Sequence, residues 1–278
     1  MIEVGKYNDL TIEKQTEAGL LLKDEDGNTV LLPALYAPDK RTLGDTIRVF
    51  VYHGSDGKKV ATTQTPKITL YGFALLQVAA MTKVGAFLNW GLDKDLLLPF
   101  NEQRRDLAEG RWYMVYLDID ESGRLYATNS IENQLQNIHI TVQEGDEVDI
   151  IILQKSDLGY TVIVNNEHKG LVYNNEVFSP LNIGDRMKAY VKKVRSDNQL
   201  DISIQKIGFR QVIDDYSQKV VDALAAHEGF LPLTDKSDPA AIAALLGMSK
   251  KAFKKTIGGL YKQRLISLEE NGIRFLKK

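Results

Sequence analysis

The chain has 278 residues, which is long for one hydrophobic core and predicts several small domains. It contains no cysteine, which excludes disulfides and thiolate metal sites, and no apolar run approaches the roughly 18 residues of a membrane span. Because the start, Met1-Ile2-Glu3-Val4, lacks the basic-then-apolar pattern of a signal peptide, we expect a cytoplasmic protein.

The formal charge of -2 is unevenly distributed along the chain. Residues 1–205 carry 22 Lys and Arg against 29 Asp and Glu, whereas residues 206–278 carry 13 against 8. A basic tail is compatible with a nucleic-acid or acidic partner, although proteins that bind neither often show a difference of this size.

One sequence unit occurs three times in the first three quarters of the chain. The middle copy is related to the first by a spacing of 66 residues and to the third by a spacing of 74. The positions that show both spacings are Gly19, Gly85 and Gly159, then Leu31, Leu97 and Leu171, then Gly44, Gly110 and Gly184. We therefore expect three domains over residues 1–65, 66–143 and 144–205, with a connector of some helical character at 131–143.

Each copy contains five short apolar runs that are separated by turn residues, the pattern of an all-β unit. The second copy also has a polar run at 101–107, which predicts a short helix between its third and fourth strands. The predicted strands of that copy are 68–77, 86–88, 96–99, 112–117 and 124–128. Five strands with a helix after the third is the order of the OB-fold, a small Greek-key barrel.

Residues 206–278 differ in pattern from the three copies. Apolar spacing predicts a helix over 208–225, and Asp238-Pro239 and Ser249 are N-terminal signals for two more helices. Residues 265–276 then predict a hairpin with an Asn-Gly turn. This order indicates a winged-helix domain. Gly258-Gly259 inside the third helix predicts close packing there, because glycine disfavours a helix interior.

Two segments resemble the RNA-binding OB-fold repeat first named in the ribosomal S-one protein. They are Gly85-Ala86-Phe87-Leu88 and Gly170-Leu171-Val172-Tyr173, each with a glycine downstream. The resemblance implies that Phe87 and Tyr173 lie on an RNA-facing surface, although both could instead fill the barrels. No copy has the full aromatic set, because Leu21 and Thr161 stand in the place of Phe87. Pro33 and Pro99 stand in the place of Tyr173. The first copy is therefore expected to be mainly structural.

Other side chains near these positions are candidates for RNA contact. Each has an alternative role: Trp90 could be a core or domain-junction residue, His168 a solvated turn residue, and the lysines ordinary surface charges. The candidates are Trp90, Lys94 and Arg124 in the second copy, and Tyr160, His168, Lys169 and Arg195 in the third.

The third helix of the tail begins with Lys250, Lys251, Lys254 and Lys255. Cations at a helix start oppose the macrodipole, so this cluster suggests an anionic partner such as a nucleic-acid backbone. The alternative is a solvated helix face.

Three S-one-type repeats followed by a winged helix resemble the bacterial conserved virulence factor B family. The resemblance implies a single-stranded RNA-binding protein of low sequence specificity that regulates gene expression after transcription, with DNA or protein as alternative partners of the winged helix. No cofactor, metal or membrane partner is expected.

Two other functions remain open. A scaffold that binds protein would show no salt-dependent RNA affinity. An enzyme is less favoured, because the four histidines show no metal-ligand spacing and the acidic group of Asp118, Asp120 and Glu121 is explained by a solvated turn.

Overall fold

The computed structural model describes residues 1–40, 42–177, 180–205, 215–262 and 264–276. It divides into two compact units, Met1–Ile204 and Gln205–Lys278. The first unit contains three five-stranded β-structures in tandem, and the second is a small domain of helices and a sheet. The predicted multidomain fold, three small all-β OB-fold barrels followed by an α+β winged helix, is confirmed.

The first barrel closes in the strand order β1-β2-β3-β5-β4. Its strands are β1 (Tyr7–Thr16), β2 (Gly19–Lys23), β3 (Thr29–Pro33), β4 (Thr46–His53) and β5 (Lys59–Thr62). Closure requires one parallel contact, in which Leu31 of β3 pairs with Val60 of β5. All other pairs of the barrel are antiparallel, as expected for a Greek-key barrel.

The second and third barrels repeat this topology. The strands of the second are β6 (Phe73–Thr82), β7 (Gly85–Asn89), β8 (Leu96–Pro99), β9 (Trp112–Ile119) and β10 (Leu125–Thr128). Those of the third are β11 (Glu147–Lys155), β12 (Gly159–Val164), β13 (His168–Tyr173), β14 (Arg186–Val194) and β15 (Leu200–Ser203). The third barrel is closed by the parallel pairing of β13 with β15.

The repeated glycine at the start of each second strand has a steric explanation. Gly19, Gly85 and Gly159 have φ of 142°, 144° and 156°, and an added Cβ would lie 2.1–2.3 Å from a carbonyl oxygen of the neighbouring strand. Only glycine permits this close approach of two backbones. A β-bulge in the first strand also recurs in each barrel, at residues 12–14, 78–80 and 152–154. The sequence repeat is therefore a structural repeat.

Two details of the second barrel differ from the sequence-based expectation. The helix predicted at 101–107 is only a 3₁₀ turn, Phe100–Glu102, whose N-terminal residue Pro99 provides no side-chain cap. The first strand begins at Phe73 and not at residue 68, because Tyr71 has φ of 65° and the amide of Gly72 donates to Thr69 O, which forms a turn before the strand.

Apolar side chains connect the three barrels of the first unit. Phe50 and Tyr52 of the first barrel belong to the same buried cluster as the core of the second. Phe73 and Met114 of the second barrel pack against Ile151 and Ile163 of the third in another cluster. Buried apolar contacts of this kind stabilise one arrangement of neighbouring barrels.

The second unit consists of α1 (Asp215–Ala226), α2 (Pro239–Leu246), α3 (Lys250–Lys262) and a three-stranded sheet. The sheet order is β16-β18-β17, from β16 (Phe230–Leu231), β17 (Ile266–Glu269) and β18 (Gly272–Phe275). Both predicted caps are present, since the Asp238 side chain accepts from Ala240 N and the Ser249 hydroxyl accepts from Ala252 N.

Two expectations for this unit need comment. The start of the first helix was predicted at 208, and residues 206–214 lie outside the described part of the chain. The prediction of close packing at the glycines of α3 is wrong for Gly258, because an added Cβ there would have no neighbour within 4 Å.

Candidate nucleic-acid interface

Among the strands described, the seam between β8 and β10 of the second barrel lacks the ladder that closes the other two barrels. In the first barrel Leu31 pairs with Val60, and the positions 66 residues later are Leu97 of β8 and Tyr126 of β10. Strands β8 and β10 share no ladder among the residues that the structure describes, and the sheet order ends at these two strands. The two strands nevertheless lie side by side, and Asn129 N, just after β10, donates to Glu102 O, just after β8, at 3.2 Å.

A cavity of about 670 Å³ lies along this seam. Its walls include Leu97, Tyr126 and the half-buried ring of Phe87, and its rim carries Lys94 and Arg124. The structure thus places Phe87, Lys94 and Arg124, three of the candidates from the sequence, around one concavity. An aromatic wall with cations at the rim is suited to stacking a base and holding its phosphate.

Trp90 also lines this cavity, but its side chain is only 3% exposed. Its indole packs edge-on against Phe50 and Tyr52 of the first barrel, at centroid distances of 5.8 and 6.1 Å, and its Nε1 donates to Lys94 O at 2.6 Å. The candidate RNA contact at Trp90 is therefore corrected to the alternative, a residue of the junction between two barrels, because neither ring face is free for a base.

Lys94 connects the second barrel to the first. Its ammonium donates to His53 O at 3.3 Å, at the end of β4, and to Gly54 O at 2.9 Å, in the turn that follows. These acceptors are uncharged, so the positive charge of Lys94 is not neutralised and remains at the cavity rim.

Arg124 is held by its own turn. Its Nε donates to Ser122 Oγ at 2.8 Å and lies 3.2 Å from Asp120 Oδ2. The Ser122 hydroxyl, more than any other group, lowers the pKa of Asp120 to about 2. This arrangement supports the reading of the acidic group as a turn, with Arg124 still largely exposed.

The third barrel places Tyr173 and Arg195 side by side on its surface. The Tyr173 hydroxyl accepts a hydrogen bond from Arg195 Nη2, and the guanidinium carbon lies 6.0 Å from the ring centroid. Asp201 pairs with Arg195 at 2.8 Å and raises its pKa, so the guanidinium is oriented and charged. Both side chains are partly exposed, which leaves the Tyr173 ring a candidate stacking surface.

Two candidates of the third barrel are buried and must be corrected. Tyr160 is 7% exposed and belongs to the barrel core, because it occupies the strand position of the buried Leu20 and Ala86 in the other copies. His168 is fully buried: its Nδ1 lies 2.7 Å from Gln136 O, and its Nε2 accepts from Thr141 N at 3.2 Å. Both the RNA-contact reading and the solvated-turn reading of His168 are therefore wrong.

Lys169 fastens the connector between the second and third barrels. Its ammonium pairs with Glu132 at 3.3 Å, and its backbone amide donates to Asn137 Oδ1 at 2.8 Å. Together with His168 it holds residues 132–141 on the third barrel. A structural role explains both side chains.

The four lysines at the start of α3 are not equivalent. Lys250 donates to Lys236 O at 3.2 Å, and Lys254 pairs with Asp235 at 3.4 Å. Lys251 and Lys255 are exposed, lie four residues apart on one helix face, and have no partner among the described residues. Of the four lysines at the start of the helix, these two are free to contact phosphates.

The sequence did not single out His53, Tyr126 or Trp112. His53 and Tyr126 line the cavity of the second barrel, and burial raises the pKa of Tyr126 to about 12. Trp112 is 51% exposed at the start of β9, with Lys67 Nζ 5.8 Å from its ring. Strand alternation could have shown Trp112 to face outward, but only the packing of two barrels places His53 in the cavity.

Within the described ranges, no group of three or more His, Asp or Glu side chains is arranged to hold a metal ion. None of the helices described is long and apolar enough to cross a membrane.

Comparison with known proteins gave matches at both ends of the chain. Residues 4–64 match the model of the S1 domain, and residues 218–275 match that of the CvfB-like winged helix domain. The chain is 26% identical to conserved virulence factor B of Staphylococcus aureus strain USA300, over 99% of this chain and 95% of that protein. The S1 match supports a nucleic-acid-binding role.

Two solved structures are also similar. A multidomain protein with nucleic acid binding domains from Streptococcus pneumoniae matches with 22% identity and a TM-score of 0.42, over 98% of each chain. A chain of the a/eIF2alpha-aDim2p-rRNA complex from Pyrococcus horikoshii OT3 matches with 18% identity and a TM-score of 0.23, over 44% of this chain and 86% of that one. With such scores, the fold assignment depends on the strand pairing described above. The family resemblance predicted from the sequence is confirmed: the chain is related to conserved virulence factor B along nearly its whole length, and its C-terminal unit carries the winged helix of that family.

Proposed function

We propose that this protein binds single-stranded RNA through the second and third barrels and acts in the cytoplasm on gene expression after transcription. The observation that carries the proposal is the cavity along the β8–β10 seam of the second barrel, where Phe87 is half-buried and Lys94 and Arg124 are exposed. Tyr173 beside Arg195 offers a second stacking surface. Base stacking on aromatic rings tolerates any sequence, so low specificity is expected over most of the bound strand.

The role is proposed to be binding and not catalysis. The acidic residue best placed for chemistry at the seam, Asp120, already accepts hydrogen bonds from Ser122 and Arg124 to close its turn. By relation to conserved virulence factor B, the transcripts affected are proposed to include those of virulence factors. The winged helix is proposed as an auxiliary nucleic-acid contact through Lys251 and Lys255.

Loss of the two aromatic surfaces tests this proposal. Phe87→Ala and Tyr173→Ala should each lower affinity for a single-stranded RNA by roughly 5- to 150-fold, since stacking contributes about 1–3 kcal/mol per base. The factor should be similar at 50 and 300 mM salt, because stacking is weakly screened. Fluorescence polarisation with a labelled 15-nucleotide RNA measures the affinity of each variant at each salt concentration.

Phe100→Ala is the matched control. Phe100 is 51% exposed and adjoins β8, but it does not line the cavity. If Phe87→Ala and Phe100→Ala weaken binding equally, the cavity is not the stacking surface. A protein-binding scaffold, the alternative function, predicts no salt-dependent RNA affinity in any of these proteins.

A further inference from the structure

The wall of the seam cavity is not built by the second barrel alone. His53 and Gly57, from the hairpin between β4 and β5 of the first barrel, also line it. Lys94 fastens this hairpin through its bonds to His53 O and Gly54 O, and Trp90 packs on Phe50 and Tyr52 beneath it. The first barrel therefore contributes one wall of this pocket.

The imidazole of His53 lines this pocket. Its Nδ1 is buried and has no hydrogen-bond partner among the described residues. Burial, with a smaller contribution from Lys59 and Lys94, lowers the pKa of His53, so the imidazole is neutral at neutral pH and offers one donor and one acceptor. Because Nδ1 is shielded from solvent, Nε2 is the ring nitrogen of His53 that a base edge can contact.

The charges of the pocket dictate how a nucleotide would enter. Glu102 and Asp95 line the pocket and are half-buried, whereas Lys94 and Arg124, which also line it, are exposed and so stand nearer the solvent. A phosphate is repelled by the interior carboxylates and attracted to the rim, so the base must be the part that enters. Inside, Phe87 provides a ring to stack on, and the Glu102 carboxylate can accept from N–H groups on the base edge.

A second cavity supports a strand and not a free nucleotide as the occupant. This cavity, of about 490 Å³, lies on the first barrel and shares Tyr52 and Lys94 with the seam pocket. Its lining includes Lys58 and Lys59 together with the half-buried Tyr36. The two cavities adjoin at these shared residues, and the lysines of the second, which Asp56 and Asp93 also line, can contact the phosphates of a strand.

We infer that the first barrel completes a pocket for one unstacked base of a bound single-stranded RNA, and that His53 reads the edge of this base. The first barrel is then a specificity element, beyond the structural role expected from its incomplete aromatic set. The inference depends on the proposed RNA binding, to which it adds a preference at a single nucleotide position. Hydrogen bonds to the base edge discriminate among bases, whereas stacking does not.

Affinities for four homopolymer RNAs, of A, C, G and U, test the inference. His53→Ala should weaken the tightest of the four by about tenfold, the equivalent of one hydrogen bond to a buried group, and should narrow the spread among them. His139→Ala is the matched control, since His139 is an exposed histidine of the same unit outside both cavities. This variant should leave the four affinities, and the spread among them, unchanged.

A measurement on the unmutated protein removes any doubt over folding of the variant. The imidazole ¹⁵N resonances of His53 should shift when RNA saturates the protein, while those of His139 should not. Two results together would overturn the pocket inference while the proposed function stands: RNA binds without shifting the His53 resonances from their unliganded positions, and His53→Ala shows the same spread of affinities among the four RNAs as the parent protein. If none of the four RNAs binds, the proposed function itself fails.

Discussion

The contribution of the winged helix can be isolated through two lysines. Among the four lysines at the start of α3, Lys251 and Lys255 have no partner among the described residues, whereas Lys254 pairs with Asp235. A lysine that contacts a phosphate displaces counterions, and each such contact adds about 0.7 to the slope of log affinity against log salt on a single strand. The double variant Lys251→Ala, Lys255→Ala should therefore flatten this slope by about 1.4.

The expected effect is well within reach of a titration. Between 50 and 200 mM KCl, a slope difference of about 1.4 changes the ratio of parent to variant affinity by roughly sevenfold. Fluorescence polarisation at five salt concentrations gives the slope. The double variant Lys6→Ala, Lys188→Ala is a control of equal charge, because these lysines already pair with Glu3 and Asp149. If the Lys251, Lys255 variant keeps the parent slope, α3 does not touch nucleic acid and is better explained as a protein-docking surface.

Two further predictions concern the barrels. Gly85→Ala should lower the free energy of unfolding by about 2–4 kcal/mol, because its Cβ would lie 2.3 Å from Leu98 O. Gly27→Ala is the control: this glycine has φ of 83° and open space around it, so the loss should be about 1 kcal/mol. Urea denaturation compares the two variants, and equal losses would contradict the steric explanation. The Asp120 carboxyl should titrate near pH 2 in a ¹³C NMR titration, below its usual value of about 4. Since the pKa of Asp120 is depressed in the folded protein, the ionised carboxylate stabilises the fold above about pH 4, and this effect is lost as the pH falls through 2. Ser122→Ala should raise the pKa of Asp120, and an unchanged pKa would contradict the assigned cause.

The repeat made most of the fold predictable. Glycine is required wherever two strands approach too closely for a Cβ, so Gly19, Gly85 and Gly159 recur at fixed spacing and reveal the copies. The caps at Asp238 and Ser249 were predictable for a similar reason, because they are local hydrogen bonds between near neighbours. The prediction of a helix at 101–107 was wrong because this polar run has no apolar face to bury, and short helices depend on such packing for their stability.

The site was predictable only in part. Phe87 and Tyr173 lie at partly exposed strand positions, as their place in the repeat suggested. Trp90, Tyr160 and His168 were misassigned because aromatic and imidazole groups serve cores as well as surfaces, and only packing against another barrel or the connector separates the two roles. The contribution of His53 could not have been found from spacing, since it depends on contact between two domains.

The central claim is that the barrels bind single-stranded RNA, and it is tested most directly by the affinity of the full chain for single-stranded and duplex RNA of equal length. Fluorescence polarisation from 50 to 300 mM KCl should show binding to the single strand that weakens with salt, and weaker binding to the duplex, whose bases are not available to Phe87 and Tyr173. Absence of binding to the single strand at 50 mM KCl, or equal affinity for both forms, would contradict the account.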